Sequence, residues 1–338
     1  MAPKAFCQRI TIKHPGYGGS NTLFALSACD GTGAEGKAHY PTVHSACAII
    51  ANNRYDGWLS STLSGEPRLR PDCEDLIPAG TYYLHFEPDP ESQPYPVVPN
   101  FRAWAFPHDD LPSLWHIPTR DAAAVEPGRG TEICRLTKKR LACEDAHIIP
   151  LFEERWFAEN EMDQYSELGG RTGQDVADSP ANWIRLRRDL RTLWDDSFFS
   201  IVPKESQGSE GAATRWCAHS LVEDEELFTD YHNWRLESLA GRPVQYFYAR
   251  FAWEIFPKLL GFLQGTQPRN LAVRPLKGVA EVRSFSPQGC WHFTQGQALG
   301  RGNLTATHWT LKCWSFQSHD DDIDEGRGRK RHRSPPER

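Results

Sequence analysis

The sequence predicts an α+β fold, on three observations. Short β-prone runs alternate with turn clusters as far as about residue 118, a helix-period apolar pattern fills residues 244–264, and a strand–helix signature sits between them. The 338-residue chain is 39% hydrophobic and 12% aromatic, enough apolar material for a packed interior and long enough for about two domains.

Residues 1–120 read as a β-rich region. RITI (9–12), HSACAIIA (44–51) and TYYLHF (81–86) are the β-prone runs, separated by the turn clusters PGYGGSN, CDGTGAEG and PDPESQPYP. PGYGGSN lacks the Gly-Lys-Ser/Thr ending of a phosphate loop, so its glycines belong to turns. Residues 95–115, YPVVPNFRAWAFPHDDLPSLW, set aromatics among prolines and suit an extended segment packed across another surface.

Residues 121–204 form the next unit. LACEDAHIIP reads as a strand ending in His147 and stopped by Pro150, and ANWIRLRRDLRTLWDD reads as a short strand passing into a helix near Asp189. On that helix Arg191 and Asp195 are four apart and share a face. After a low-complexity break at 205–213, residues 205–316 read as a helical region preceded by a strand, WCAHSL. Its long amphipathic helix, 244–264, is expected to place Arg250, Glu254 and Lys258 on one exposed stripe, with Phe247, Phe251, Ile255 and Leu259 inward. Those charges and Pro257 make the stretch too polar to span a bilayer. Residues 317–338, an acidic block followed by GRGRKRHRSPPER, read as a disordered tail.

Charge and cysteines exclude some classes. A net charge of −6 argues against a protein that coats nucleic acid through a broad basic surface, so any such contact is local. Nine cysteines with no CxxC pair fit neither a disulfide scaffold nor a zinc knuckle and read mostly as buried thiols. No N-terminal run reads as a signal peptide, which points to an intracellular protein, cytoplasmic or nuclear. His85, His108 and His219 have no sequence neighbours at metal-ligand spacing and read as structural.

Hydrolysing a phosphodiester takes a base for water, a cation for the charge gathering on phosphate, and a group that orients the base. His147, the helix-borne charges and Asn182 suit those tasks. The run Cys134-x-x-Thr137, AHIIP (146–150), Asn182, LRRDLRTLWD (186–195) and IVP (201–203) resembles the HNH endonuclease family, in particular its fungal branch. The resemblance implies a ββα-metal finger held between the β-rich and helical regions, and divalent-metal-dependent cleavage of DNA, with RNA as the alternative partner. It implies His147 as general base, Asn182 as the brace of its loop or a direct metal ligand, and Asp195 as the second helix-borne ligand.

Magnesium or manganese is the expected ion, ahead of zinc. Two positions depart from the family: Ala146 precedes the base, and Arg191 stands where a histidine ligand is expected. A guanidinium has no lone pair for a metal. Arg191 is expected to pair with Asp195 and either weaken metal binding or grip the phosphate. Lys138, Lys139, Arg185, Arg187 and Arg188 are the expected phosphate contacts. The alternative is an inactive pseudo-nuclease that binds nucleic acid or a protein partner.

Overall fold

The computed structural model of the chain describes residues 8–31, 35–69, 76–87, 94–116, 133–166, 177–205, 214–236, 239, 241–274 and 280–299. Met1–Gln297 form one compact unit. The remaining unit, Ala298–Arg338, is described only at the last two residues of a helix, so the tail assigned to 317–338 lies outside the described residues.

The N-terminal part contains β1 (Arg9–Lys13), β2 (Thr22–Ser27), β3 (Lys37–His39), α1 (Tyr40–Ile50), β4 (Trp58–Ser60), β5 (Leu76–Pro78) and β6 (Gly80–His85). A four-stranded sheet runs in the order β2-β1-β6-β4, with β1 antiparallel to β2 and parallel to β6. Alternation explains β1: Ile10 and Ile12 are fully buried while Arg9, Thr11 and Lys13 are not. The run 44–51, read from sequence as β-prone, is instead mostly the second half of α1. Val43, Ala46, Cys47, Ile49 and Ile50 are all buried, and a helix apolar all round carries no period that separates it from a buried strand. Cys29 is disulfide-bonded, whereas Cys47, Cys134, Cys143, Cys217 and Cys290 are free, all but Cys143 of them buried.

The aromatic segment 95–115 packs as expected. Trp104 stacks on Trp156 with ring centroids 5.7 Å apart, and Trp115 meets Tyr248 edge-on at 4.9 Å. Val97 bridges to Leu271, joining the segment to the C-terminal part.

The middle of the chain contributes β7 (Cys143–His147), α2 (Glu154–Glu159), β8 (Trp183–Arg187), α3 (Arg188–Asp195) and β9 (Phe199–Lys204). β9 pairs antiparallel with β10 (Arg215–Ser220), the strand expected at WCAHSL. Then follow α4 (Glu225–Tyr231), α5 (Val244–Ile255), α6 (Leu260–Leu263), the pair β11 (Arg269–Val273) and β12 (Glu281–Phe285), and α7 (Pro287–Leu299).

The expected helix over 244–264 is interrupted. A 3-10 turn at Phe256–Leu259, containing Pro257, separates α5 from α6. The exposed stripe is overturned as well: Arg250 is 1% and Glu254 2% exposed, as buried as Phe247 and Phe251 on the same helix. α5 is enclosed on every side, so its charged pair lies in the interior, matched to each other and to backbone carbonyls from the middle of the chain.

Candidate functional site

β7 and β8 run antiparallel with Glu144 opposite Leu186, Ala146 opposite Ile184, and His147 opposite Trp183. Directly paired residues share a face, so Glu144 and Ala146 lie on one face with Leu186 and Ile184, while Asp145 and His147 lie on the other with Arg185 and Trp183. α3 follows β8 at once. Leu190 and Trp194, four apart, are fully buried, which leaves Arg191 and Asp195 on the adjoining, partly exposed stripe.

His147 keeps 30% of its side chain exposed and places Nε2 2.8 Å from Oδ1 of Asp178. With Asp178 accepting from Nε2–H, the tautomer is set and the Nδ1 lone pair is left available. Arg185 bonds Asp145 at 2.9 Å on the same face of the strand pair.

The second group sits on the helix side. Arg191 bridges two carboxylates, Glu144 at 2.8 Å and Asp195 at 3.4 Å, and Arg188 also reaches Glu144 at 2.7 Å. Hydrogen bonds from Arg188 and then Arg191 hold the Glu144 carboxyl below its ordinary range. The expected Arg191–Asp195 pair is present, with Glu144 as a partner that strand–helix pairing adds.

Asn182 is fully buried. Its Oδ1 accepts from the Ile149 amide at 2.8 Å, and its Nδ2 donates to the carbonyls of Ile149 (2.8 Å) and Ala177 (2.7 Å). The Asn182 oxygen is thus enclosed and engaged with the Ile149 amide. The two carbonyl bonds tie the loop after His147 to the segment that carries Asp178.

Arg250 makes a further brace. It bonds Glu254 at 2.5 Å, the Ile148 carbonyl at 3.4 Å and the Trp194 carbonyl, with its guanidinium over the Trp194 ring at 4.3 Å. The Trp194 indole in turn donates to the His147 carbonyl at 2.9 Å. The end of β7 and the helix bearing Arg191 and Asp195 are thereby joined at one point.

Among the described residues no hydrogen bond or ion pair links the His147 imidazole to Arg191 or Asp195 directly. Of the expected phosphate contacts, Arg185, Arg187 and Arg188 are paired with Asp145, Asp189 and Glu144, whereas Lys138 and Lys139 are exposed before β7. Sequence reading missed Asp178, Glu144 and Arg250. Asp178, four residues before Asn182, is the one whose nearness to the motif offered a signal.

A different cluster corrects the reading of His219 as partnerless. Asp30, His219 and His232 bring ligand-type atoms within 4.8 Å of one another. The cation among them is the Lys204 ammonium, which bonds Asp30, His219 Nδ1 at 3.0 Å and Asn233 at 2.7 Å. Burial first, and then the Lys204 charge, lower the pKa of both histidines. Burial alone would raise Asp30, but Lys204 and the His232 hydrogen bond hold it well below the carboxylate range.

A histidine neutral in the fold takes a proton on unfolding below about pH 6.5, so its contribution is present above that pH and lost as pH falls toward the depressed folded value. His14, lowered to about 3 by burial, acts in the same direction. Urea midpoints should therefore drop between about pH 7.5 and about pH 5.5. The drop should be smaller in His219→Gln, which keeps an acceptor for Lys204 without titrating; equal drops in both proteins would contradict this account.

A histidine oriented by a carboxylate at the end of β7, and a guanidinium and a carboxylate on α3 joined to Glu144 on the other face of the strand pair, are groups of the kinds a phosphodiester hydrolase uses. Residues 132–202 match the HNH endonuclease family, which gives this segment of the α+β chain a nuclease-type, nucleic-acid-related character. The rest of the chain lies outside that match. Against curated proteins and solved structures the chain gives no match. No described helix is long and apolar enough to cross a membrane.

Proposed function

We propose that the chain is an HNH-type endonuclease that cleaves DNA phosphodiester bonds with a divalent metal, RNA being the second candidate substrate. β7, β8 and α3 would serve as its ββα-metal finger. The observation that carries the reading is the 2.8 Å His147–Asp178 hydrogen bond within the segment that matches the family.

In this reading His147 takes the proton of the attacking water at Nδ1, Asp178 keeps the other nitrogen protonated, and Arg191 neutralises charge on the phosphate. Asn182 and Arg250 hold the end of β7 in place. For the metal, Glu144 and Asp195 offer the one or two carboxylates that magnesium or manganese takes alongside water and substrate oxygens. The donor set fits such an ion, with Arg191 as its competitor. When bound, the ion would stabilise charge on the phosphate and the leaving oxygen.

The test is nicking of supercoiled plasmid in magnesium or manganese, with none in chelator. Calorimetry should show weak metal uptake by the wild type and tighter uptake by Arg191→His. Absence of nicking in either metal would favour a second reading, a pseudo-nuclease that binds nucleic acid or a protein partner. The observation behind that reading is Arg191 itself, seated between the two carboxylates that an ion would need.

A further inference from the structure

A cavity of about 300 Å³ opens between the turn before β7, the end of β8, and the last turn of α4 with the residues just after it. Lys139 and Arg187 line it together with Tyr231 and Trp234. Trp234 is 46% exposed, and its ring lies 6.1 Å from that of Tyr231. Its backbone donates to the Tyr231 carbonyl and accepts from the Ala218 amide.

Two cations, Lys139 and Arg187, line the cavity along with one carboxylate, Asp230. Lys139 has an exposed side chain with no ion pair among the described residues. Among the described residues Arg187 pairs with Asp189, half-exposed, in a surface contact of the kind that is easily exchanged for another anion. Asp230 on the cavity wall can accept from the exocyclic amine of a base.

We propose that this cavity binds one unpaired nucleotide of a nucleic-acid strand, its base on Trp234 and its phosphate at Lys139 and Arg187. A cavity of this size admits a single nucleotide, and a base offers a free face to an indole only when it is unpaired. The proposal rests on the nucleic-acid reading of the neighbouring strands and locates part of the strand away from the bond to be cut.

The test is fluorescence anisotropy of the full chain, in chelator, with a labelled single-stranded DNA oligonucleotide and the blunt duplex of the same sequence. Trp234→Ala should weaken single-strand binding about tenfold and leave the duplex unchanged, while Trp234→Phe stays near wild type. Lys139→Ala should weaken binding and lower the salt slope by about one. Equal affinity of the wild type for single strand and duplex, or unchanged single-strand affinity in Trp234→Ala, overturns the proposal. No oligonucleotide binding by the wild type overturns this site, while plasmid nicking in magnesium or manganese by the same preparation leaves the nuclease reading standing. Trp234-dependent binding without plasmid nicking leaves this site standing and removes only the cleavage.

Discussion

Replacing Arg250 with methionine should lower the unfolding free energy by about 3–5 kcal/mol, the range found when one partner of a buried ion pair is removed. Glu254, 2% exposed, would be left in the interior without its counter-charge. Burial already pushes its carboxyl up in spite of Arg250, so in the variant it should take up a proton. The Ile148 and Trp194 carbonyls would lose a shared donor at the point where β7 and α3 meet. The double variant Arg250→Met, Glu254→Leu should recover much of the loss, because a well-packed apolar pair can replace a buried ion pair. Urea denaturation of the two variants measures this. A single variant within about 0.5 kcal/mol of wild type, the range of ordinary surface substitutions, would show that Arg250 is not the brace described here.

What the sequence disclosed and what it hid follow from the range of the interactions involved. The β-prone run RITI (9–12), the strand ending at His147 and the strand at WCAHSL are local patterns, and each is found in the fold within a residue. The stripe Arg250, Glu254, Lys258 was also visible, but four-residue spacing looks the same whether the face meets water or the carbonyls of a distant segment. Arg250 is 102 residues from Ile148, and Lys204 is 174 from Asp30; no window of sequence joins them. Asn182 was legible through its place in the motif, while its hydrogen bonds to the Ile149 and Ala177 backbone depend on a burial that no local pattern shows. Arg191 is the intermediate case. Its pairing with Asp195 is local and was readable, whereas Glu144 enters only through the strand–helix contact.

Substituting His147 with alanine should slow plasmid nicking by about 10²- to 10⁴-fold, the usual contribution of a positioned general base. The side chain is partly exposed and its only polar partner among the described residues is Asp178, so the fold should survive and the melting temperature should change little. Asp178→Asn is the sharper probe. The side-chain amide can donate toward Nε2, which favours the tautomer carrying its proton on Nδ1 and removes the lone pair needed for water. Asp178→Asn should thus lose more activity than Asp178→Ala, the reverse of the order expected if Asp178 merely filled space, since asparagine preserves its shape.

Nitrogen-15 NMR of the imidazole gives a readout independent of cleavage. The wild type should show the proton on Nε2, and Asp178→Asn should show it moved to Nδ1. Nicking by His147→Ala at the wild-type rate, with no change of tautomer in Asp178→Asn, would remove the imidazole from the chemistry. An imidazole that changes tautomer without changing the rate would show the carboxylate orienting a histidine that the reaction does not use.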